Sequence, residues 1–533
     1  MSVAESGPDS LLRIDELLRP DAFPHPVTEL RVVETHISWV VLTGSFAYKI
    51  KKPLKLDFID TSTLERRQHY CNEELRINRR LAPELYLEVV PITRDNGRIR
   101  INGDGAVVEY SVRMRQFASG DELAALLDRG DVSLDEIERL AGLLARFHEQ
   151  AARPVRHQSL EHTQRMYDSV LGNLEQLIEH AEKTEPATDL RRLWNWTRAS
   201  IRAHESAFET RERTGCIREC HGDLHAANIV RIERRLVPFD CIDFDPLLRR
   251  IDVMNDIAFL IMDLQSRGRT DLSTTLLNHY LEITGDYDGV RLVPFYAVYR
   301  ALVRAKVDAI AAGQSPAQAR RFNERLQRRV RTALELIHQH RPALVLMHGP
   351  SGSGKSWLSG QLVSTLPALR IRSDLERKRL LGESHASERD GFKVGRYAPT
   401  TNHRVYARLV DCAESCLQAG FNVVIDAAFL EETDRELFEG LAKRLGVACT
   451  FISCNCDAAT LLDRVTTRAA RADDVSEADC EVVAAQLRTF QPLVAESGRH
   501  IIEVDTRDPS VIQTVVAAVR SVRDIRMRWS AGS

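Results

Sequence analysis

Eight residues constrain this chain more than any others: Gly349, Pro350, Ser351, Gly352, Ser353, Gly354, Lys355 and Ser356. They fit G-x-x-x-x-G-K-[ST], the pattern of a loop that cradles phosphate. The run before them, Ala343 to His348, is short and apolar and reads as a buried strand. The run after them, Trp357 to Val363, reads as the start of a helix. Gly349 and Gly354 let the backbone curl so that its N–H groups point inward at a phosphate. The helix N-terminus adds a partial positive charge. Lys355 is expected to reach the β- and γ-phosphates, and Ser356 to bind Mg²⁺. The bland alternative, a Gly/Ser turn running into a helix, does not call for the strand that precedes it.

Composition sets the frame. A chain of 533 residues holds three or four domains, or two large ones. Hydrophobic residues make up 44% and charged residues 28%, enough apolar material for ordinary globular cores. A net charge of −3 gives no bulk footprint for nucleic acid. The N-terminus lacks a basic-then-apolar leader, and no apolar run approaches the roughly 18 residues of a membrane span. The ten cysteines form no CxxC pair. Cys412 with Cys416, and Cys454 with Cys456, read as buried thiols rather than ligands. A reduced, cytoplasmic protein is expected.

Taken in order, the chain opens with a short helix near Leu11–Leu18. A β-rich stretch follows, with Ile37–Leu42 and Phe46–Ile50 as a hairpin. Lys49 and Lys51 share one face of the returning strand by the period of two. A helix from the Ser62-Thr-Leu-Glu65 capping box to Leu81 carries Glu73 and Glu74. From Asp121 the pattern is mostly helical, interrupted by a polar loop at Glu219–Val230 and a strand at Val237–Asp245. A charged helix, Arg320–His338, runs almost directly into the P-loop strand, so the linker is very short and contact between the two halves is expected. Strands at Leu369–Asp374, Phe421–Asp426, Ala448–Ser453 and Ile501–Val504 then alternate with helices, which implies a parallel sheet covered on both faces.

Phosphoryl transfer to a hydroxyl needs few parts. A lysine holds nucleotide phosphates and a carboxylate holds the lysine. A second carboxylate takes the hydroxyl proton, and an Asn and an Asp hold Mg²⁺. The first half offers these parts in workable order as Lys49, Glu74, Asp223, Asn228 and Asp243. Lys51, Glu73 and Asp240 are their rivals.

The stretch His221-Gly-Asp-Leu-His-Ala-Ala-Asn-Ile229 resembles the catalytic loop of the aminoglycoside phosphotransferase-like family, which shares the protein-kinase fold. Ala141 to His148 resembles that family's helix ahead of the loop. The resemblance spans roughly residues 28–310. It implies Asp223 as catalytic base, Asn228 as a Mg²⁺ ligand, and Asp243 in Ile242-Asp243-Phe244 as the second, with Asp240 at a spacing that also fits. The glycine-rich loop over the phosphates is reduced to Thr43-Gly-Ser45, a departure from the family. His225 reads as structural.

The second half resembles P-loop small-molecule and polynucleotide kinases. Asp374 and Arg377 match their D-x-x-R element, in which the Asp takes the acceptor proton and the Arg holds phosphate. The alternative for Asp374 is a helix cap. Its strand is expected to neighbour the P-loop strand. Asp426, ending an apolar strand, resembles a Walker-B carboxylate acting on Mg²⁺. Leu461 to Arg471 with Asp473 to Ala478 resembles a lid, in which Arg464 and Arg468 share a helix face and neutralise the transferring phosphoryl group.

The expected architecture is a two-lobed α+β protein-kinase-like domain over residues 1–338, followed by an α/β P-loop domain with a parallel sheet over 341–533. The expected function is a bifunctional, cytoplasmic ATP- and Mg²⁺-dependent phosphotransferase acting on small hydroxyl compounds. A regulatory ATP-binding protein, in which a degenerate first half controls the second, is the alternative. Nucleic-acid end processing by the second half is a third reading.

Overall fold

The computed structural model describes residues 12–56, 59–153, 160–181, 187–314, 318–338, 342–382, 399–471, 480–491, 493 and 499–530. These fall into two compact units. One comprises Met1–Arg165 with Glu209–Asp263, the other Met166–Phe208 with Leu264–Ser533. Among the described residues no helix is long and apolar enough to cross a membrane.

The first unit has a six-stranded sheet. Its strands are β1 (Arg31–Glu34), β2 (Ser38–Leu42), β3 (Phe46–Lys51), β4 (Tyr86–Asp95), β5 (Arg98–Ile101) and β6 (Ala106–Arg115). They lie in the order β1-β2-β3-β6-β4-β5, every neighbour antiparallel. Alternation gives the sheet two apolar faces. Tyr48 and Ile50 pack with Val41, Val90 and Ile92 on one side, under Leu17, Ala22 and Phe23. Ala47, Val112 and Met114 pack on the other with Cys71 of helix α1 (Leu64–Asn78). Lys49 and Lys51 share the face of Ala47. The helix starts one residue later than the capping-box spacing suggests. Thr63 Oγ1 caps Arg66 N, while Ser62 is taken by Asp60 Oδ1 at 2.6 Å.

Helix α2 (Leu134–Gln150) opens with a capping box, Ser133 and Glu136 each bonding the other's backbone N–H. Two antiparallel ribbons frame the polar loop: β7 (Ile217–Glu219) with β10 (Arg250–Asp252), and β8 (Ile229–Ile232) with β9 (Arg235–Pro238). The loop after β7 is pinned from behind by Asp256 of helix α3 (Val253–Ser266). The Asp256 carboxylate accepts from His221 N at 3.0 Å, Gly222 N at 2.9 Å and His148 Nε2 at 3.1 Å. Gly222 sits at φ +87°, with a Cβ there meeting Leu248 O at 3.0 Å, so glycine is required.

The second unit holds long helices α4 (Thr270–Thr284), α5 (Val293–Gln314) and α6 (Ala319–Ile337), then the P-loop sheet. Its strands are β11 (Ala343–His348), β12 (Ala368–Arg372), β13 (Asn422–Asp426), β14 (Ala448–Asn455) and β15 (His500–Asp505). All are parallel, in the order β12-β13-β11-β14-β15. Helices α7 (Lys355–Thr365), α8 (Ser373–Leu381), α9 (Pro399–Gln418), α10 (Glu432–Leu445), α11 (Ala458–Arg471), α12 (Cys480–Thr489) and α13 (Val511–Ser530) accompany the sheet.

Two expectations are corrected here. The strand leading to Asp374 does not neighbour the P-loop strand, because β13 lies between them. Asn422 favours that arrangement. Its Oδ1 accepts from Ala343 N at 3.0 Å, and its Nδ2 donates to Pro367 O at 2.9 Å, tying the starts of β11 and β12 to the strand between. The strand also ends at Arg372, not at residue 374. Ser373 and Asp374 form the first turn of α8, where an acidic side chain meets the positive end of the helix dipole.

If Asn422 holds this order, Asn422→Ala should cost about 1–3 kcal/mol. Hydrogen exchange of the Ala343 amide and of β12 should quicken together. Unchanged exchange in both would remove Asn422 from the account.

Candidate functional site

In the first unit, α1 and β3 bring two lysines onto one carboxylate. Lys49 Nζ lies 2.6 Å from Glu74 Oε1, and Lys51 Nζ lies 2.7 Å from Glu74 Oε2. Each ammonium also meets an aspartate from the segment after β9. Lys49 pairs with Asp240 Oδ1 at 2.5 Å, and Lys51 pairs with Asp243. Glu73 turns away to Arg76 and Arg249. The two pairs differ in exposure. The Lys51 side chain is 0% exposed and that of Asp243 7%, whereas Lys49 is 14% and Asp240 45% exposed. Asp240 sits at φ +61°, which aims its side chain from a backbone conformation few L residues adopt. Asn78 of α1 holds the same segment, its Oδ1 accepting from Cys241 N at 2.8 Å.

Pairing and burial pull the charges of this cluster in opposite directions, and at Asp243 burial wins over the facing ammoniums and pushes the carboxyl up. Burial pushes the Glu74 carboxyl up, but the Lys49 and Lys51 ammoniums outweigh it and hold it at about 2. Burial alone would lower both lysines; the facing carboxylates raise them instead.

The polar loop presents Asp223, half-buried. Asn228 Nδ2 donates to Asp223 Oδ2 and to Asp223 O, each at 3.0 Å, and His225 Nε2 lies 3.4 Å from the same Oδ2. His225 is in turn packed on Phe259, and Asp263 accepts from Ala226 N at 2.9 Å. His221 is fully buried, bonded to Phe239 O at 2.9 Å, and burial lowers its pKa. His148, Cys220 and Asp256 gather behind the loop within metal-ligand reach of one another. Their bonds to loop and strand backbone make them a clamp.

In the second unit, residues 349–356 run from the end of β11 to the start of α7. Gly354 takes φ +89°, and a Cβ there would lie 2.6 Å from Thr506 Oγ1. The Lys355 ammonium folds back onto Pro350 O at 2.8 Å. Ser356 is exposed at the helix start. One turn on, Ser359 Oγ donates to Asp426 Oδ2 at 3.1 Å, bringing the Walker-B-like carboxylate beside the loop. Asp374 is half-buried in the first turn of α8. Arg377 is buried, its Nη1 on Asn402 Oδ1 at 2.7 Å. Arg464 reaches the underside of the loop, bonding Thr506 Oγ1 at 2.9 Å and Gly352 O at 3.4 Å. The Arg468 side chain and the lid residues 473–478 lie outside the described residues.

Carboxylate, carboxamide and hydroxyl oxygens are the donors a hard Mg²⁺ ion takes. Asn228, Asp240 and Asp243 supply them in the first unit, Ser356 and Asp426 in the second. Sequence reasoning named Lys51 and Asp240 only as rivals. It missed Ser359, which helical spacing from Ser356 could have flagged, and Thr506, for which no motif speaks.

The model of the AAA domain family matches residues 344–493. The uncharacterized protein Rv2004c of Mycobacterium tuberculosis H37Rv is 31% identical over 469 residues, covering 86% of this chain and 91% of its own. An uncharacterized protein of Mycobacterium bovis matches equally. Among solved structures, a choline/ethanolamine kinase family protein from Mesorhizobium loti covers 58% of this chain and 88% of its own, at 13% identity and TM-score 0.37. A gluconokinase from Sinorhizobium meliloti covers 36% of this chain and 98% of its own, at 16% identity and TM-score 0.26. At such scores the fold assignment rests on the strand order and side-chain geometry above.

Glu74→Gln should remove the carboxylate that the two ammoniums share, leave each with its one aspartate partner, and destabilise the first unit by roughly 1.5–3 kcal/mol at pH 7. A carboxylate held below its ordinary value of 4.5 adds stability above that value and loses it as pH falls toward about 2. The gap between wild type and variant in denaturant unfolding should therefore narrow below pH 4.5. A gap independent of pH would contradict the charge assignment.

Proposed function

The chain belongs to the family of the mycobacterial protein Rv2004c, and we propose that it is a bifunctional kinase that uses ATP and Mg²⁺ to phosphorylate hydroxyl groups of small molecules. In this reading residues 1–338 form one catalytic half and 341–533 the other. The observation that carries it is the buried Glu74 gripping Lys49 and Lys51 in the same unit as an Asp223 aimed by Asn228 and His225.

In the first half Lys49, the more exposed lysine, meets the nucleotide phosphates. Asp240 is the accessible metal-facing carboxylate, and Lys51 with Asp243 forms its buried backing. Asp223 accepts the acceptor's hydroxyl proton. In the second half the loop amides and Lys355 hold the phosphates, Ser356 and Asp426 face the metal, and Asp374 takes the proton. Arg377, held by Asn402, serves to place α8 rather than to grip the acceptor directly. Mg²⁺, when bound, supplies charge neutralisation between the phosphates. Within the second unit, Glu282 pairs with Arg370 at 2.9 Å and Arg291 bonds Ser415 at 3.0 Å, which ties the helices before the P-loop to its sheet and to α9. The regulatory reading draws on one observation, the engagement of Asp243 by Lys51.

The test is a screen of hydroxyl compounds with γ-labelled ATP, using full-length Lys355→Ala to silence the second half. Adding Asp223→Asn should lower transfer by roughly 10²–10⁴-fold while ATP still binds. The complementary chain, Asp223→Asn with an intact P-loop, should lose transfer when Asp374→Asn is added. Transfer unaffected by Asp223→Asn, or no acceptor for the first half, would favour the regulatory reading.

A further inference from the structure

Helix α8 opens with Asp374 and carries no buried apolar side chain; its two buried residues are Glu376 and Arg377. Its place is therefore set in large part by directional polar bonds. Successive helix residues turn by about 100°, so Asp374 and Arg377 share one side of α8, and Glu376 and Arg379 the opposite one. On the first side Arg377 Nη1 donates to Asn402 Oδ1 at 2.7 Å. On the other, Arg379 Nη1 pairs with Glu376 Oε1, and its Nη2 donates to Glu282 O and lies 3.5 Å from Leu281 O. Glu282 O is a last-turn carbonyl of α4, at the negative end of that helix, where a guanidinium is favoured. The fit is close. Gly285 ends α4 at φ +68°, and a Cβ there would lie 2.8 Å from Arg379 Nε and 2.9 Å from its Cδ. Glu376, 1% exposed, is also met by Arg408 Nε at 3.5 Å, and Arg408 Nη2 donates to Gly285 O at 3.1 Å.

We propose that Arg379 is a positioning residue for the second half. It fixes α8 on the C-terminal turn of α4 and so sets where the Asp374 carboxylate stands. This rests on the reading of Asp374 as the group that takes the acceptor's proton. Helix α4 precedes the P-loop strand in the chain, so residues outside 341–533 complete the second catalytic site. Displacing a reacting group by about 1 Å costs on the order of 10²-fold in rate, even when the change lies far from the chemistry. The phosphate-binding loop is carried by β11 and α7, not by α8. The seat therefore governs turnover and leaves nucleotide affinity alone.

The parent for the test is the full chain carrying Asp223→Asn, which silences the first half. Turnover of γ-labelled ATP is measured with glycerol as the hydroxyl acceptor, and the part that Asp374→Asn removes is the signal. Gly285→Ala crowds Arg379, and Arg379→Gln removes its charge. Each should lower that kcat by about 10–100-fold, while the KM for ATP and the calorimetric affinity for AMPPNP stay within about twofold. Arg379→Lys keeps a cation on Glu282 O and Glu376 and should return kcat to within about threefold of the parent. Hydrogen exchange of the α8 amides, read without any acceptor, should quicken in Gly285→Ala and Arg379→Gln and not in Arg379→Lys. Unchanged kcat in both variants, AMPPNP affinity falling in step with kcat, or α8 exchange indifferent to Arg379→Gln would overturn the role of Arg379 alone. A parent with no turnover that Asp374→Asn removes would overturn the reading of Asp374, and the α8 exchange then still decides the seat.

Discussion

Two ammonium groups share one carboxylate where almost no water reaches, and the first unit is arranged around that fact. Glu74 is 0% exposed as a residue. Removing three or more charges from water costs several kcal/mol per ion, and only close pairing offsets it. The pairing requires β3, α1 and the segment after β9 to converge to within hydrogen-bond distance. The same convergence gives a lysine that can meet phosphate and a carboxylate that can face a metal. Fold and chemistry therefore depend on one cluster, and losing Glu74 damages both. Hydrophobic residues in its place could be as stable, which points to specificity or function as the reason for the ions.

In the proposed reading the second unit would hold phosphate with backbone rather than buried ions, the positive φ at Gly354 and the dipole of α7 supplying the field and Lys355 the charge. Its sheet has an edge strand, β12, whose unpaired N–H groups would invite another chain. Asn278 Oδ1 of α4 accepts from Arg370 N at 2.9 Å, and Glu282 takes the Arg370 guanidinium. Arg379 of α8 bonds Glu282 O, and Arg408 of α9 bonds Gly285 O at 3.1 Å. Helix α8, which begins with Asp374, is thus seated by residues some hundred positions earlier in the chain.

Local patterns were legible from residue order. The P-loop with its flanking strand and helix, the parallel sheet, the hairpin carrying two lysines, and the box at Ser133 all follow from spacing and periodicity. What was illegible required knowing which distant segments meet. Spacing could not choose between Glu73 and Glu74, since adjacent helix residues point 100° apart and only the position of β3 decides which faces the lysines. Strand order failed for the same reason. Nothing around Leu369 shows that β13 will return between it and the P-loop strand. Thr506 carries no motif because it acts through bonds to loop backbone and to a distant guanidinium: its Oγ1 donates to Ser353 O at 2.8 Å and accepts from Arg464 Nη1 at 2.9 Å.

The central claim is that one chain carries two nucleotide sites of different construction. Calorimetric stoichiometry of AMPPNP binding to the full chain in Mg²⁺ measures it most directly. The account predicts two equivalents, one lost in Lys355→Ala and the other weakened in Lys49→Ala. A single equivalent that vanishes in Lys355→Ala and is indifferent to Lys49→Ala would contradict it.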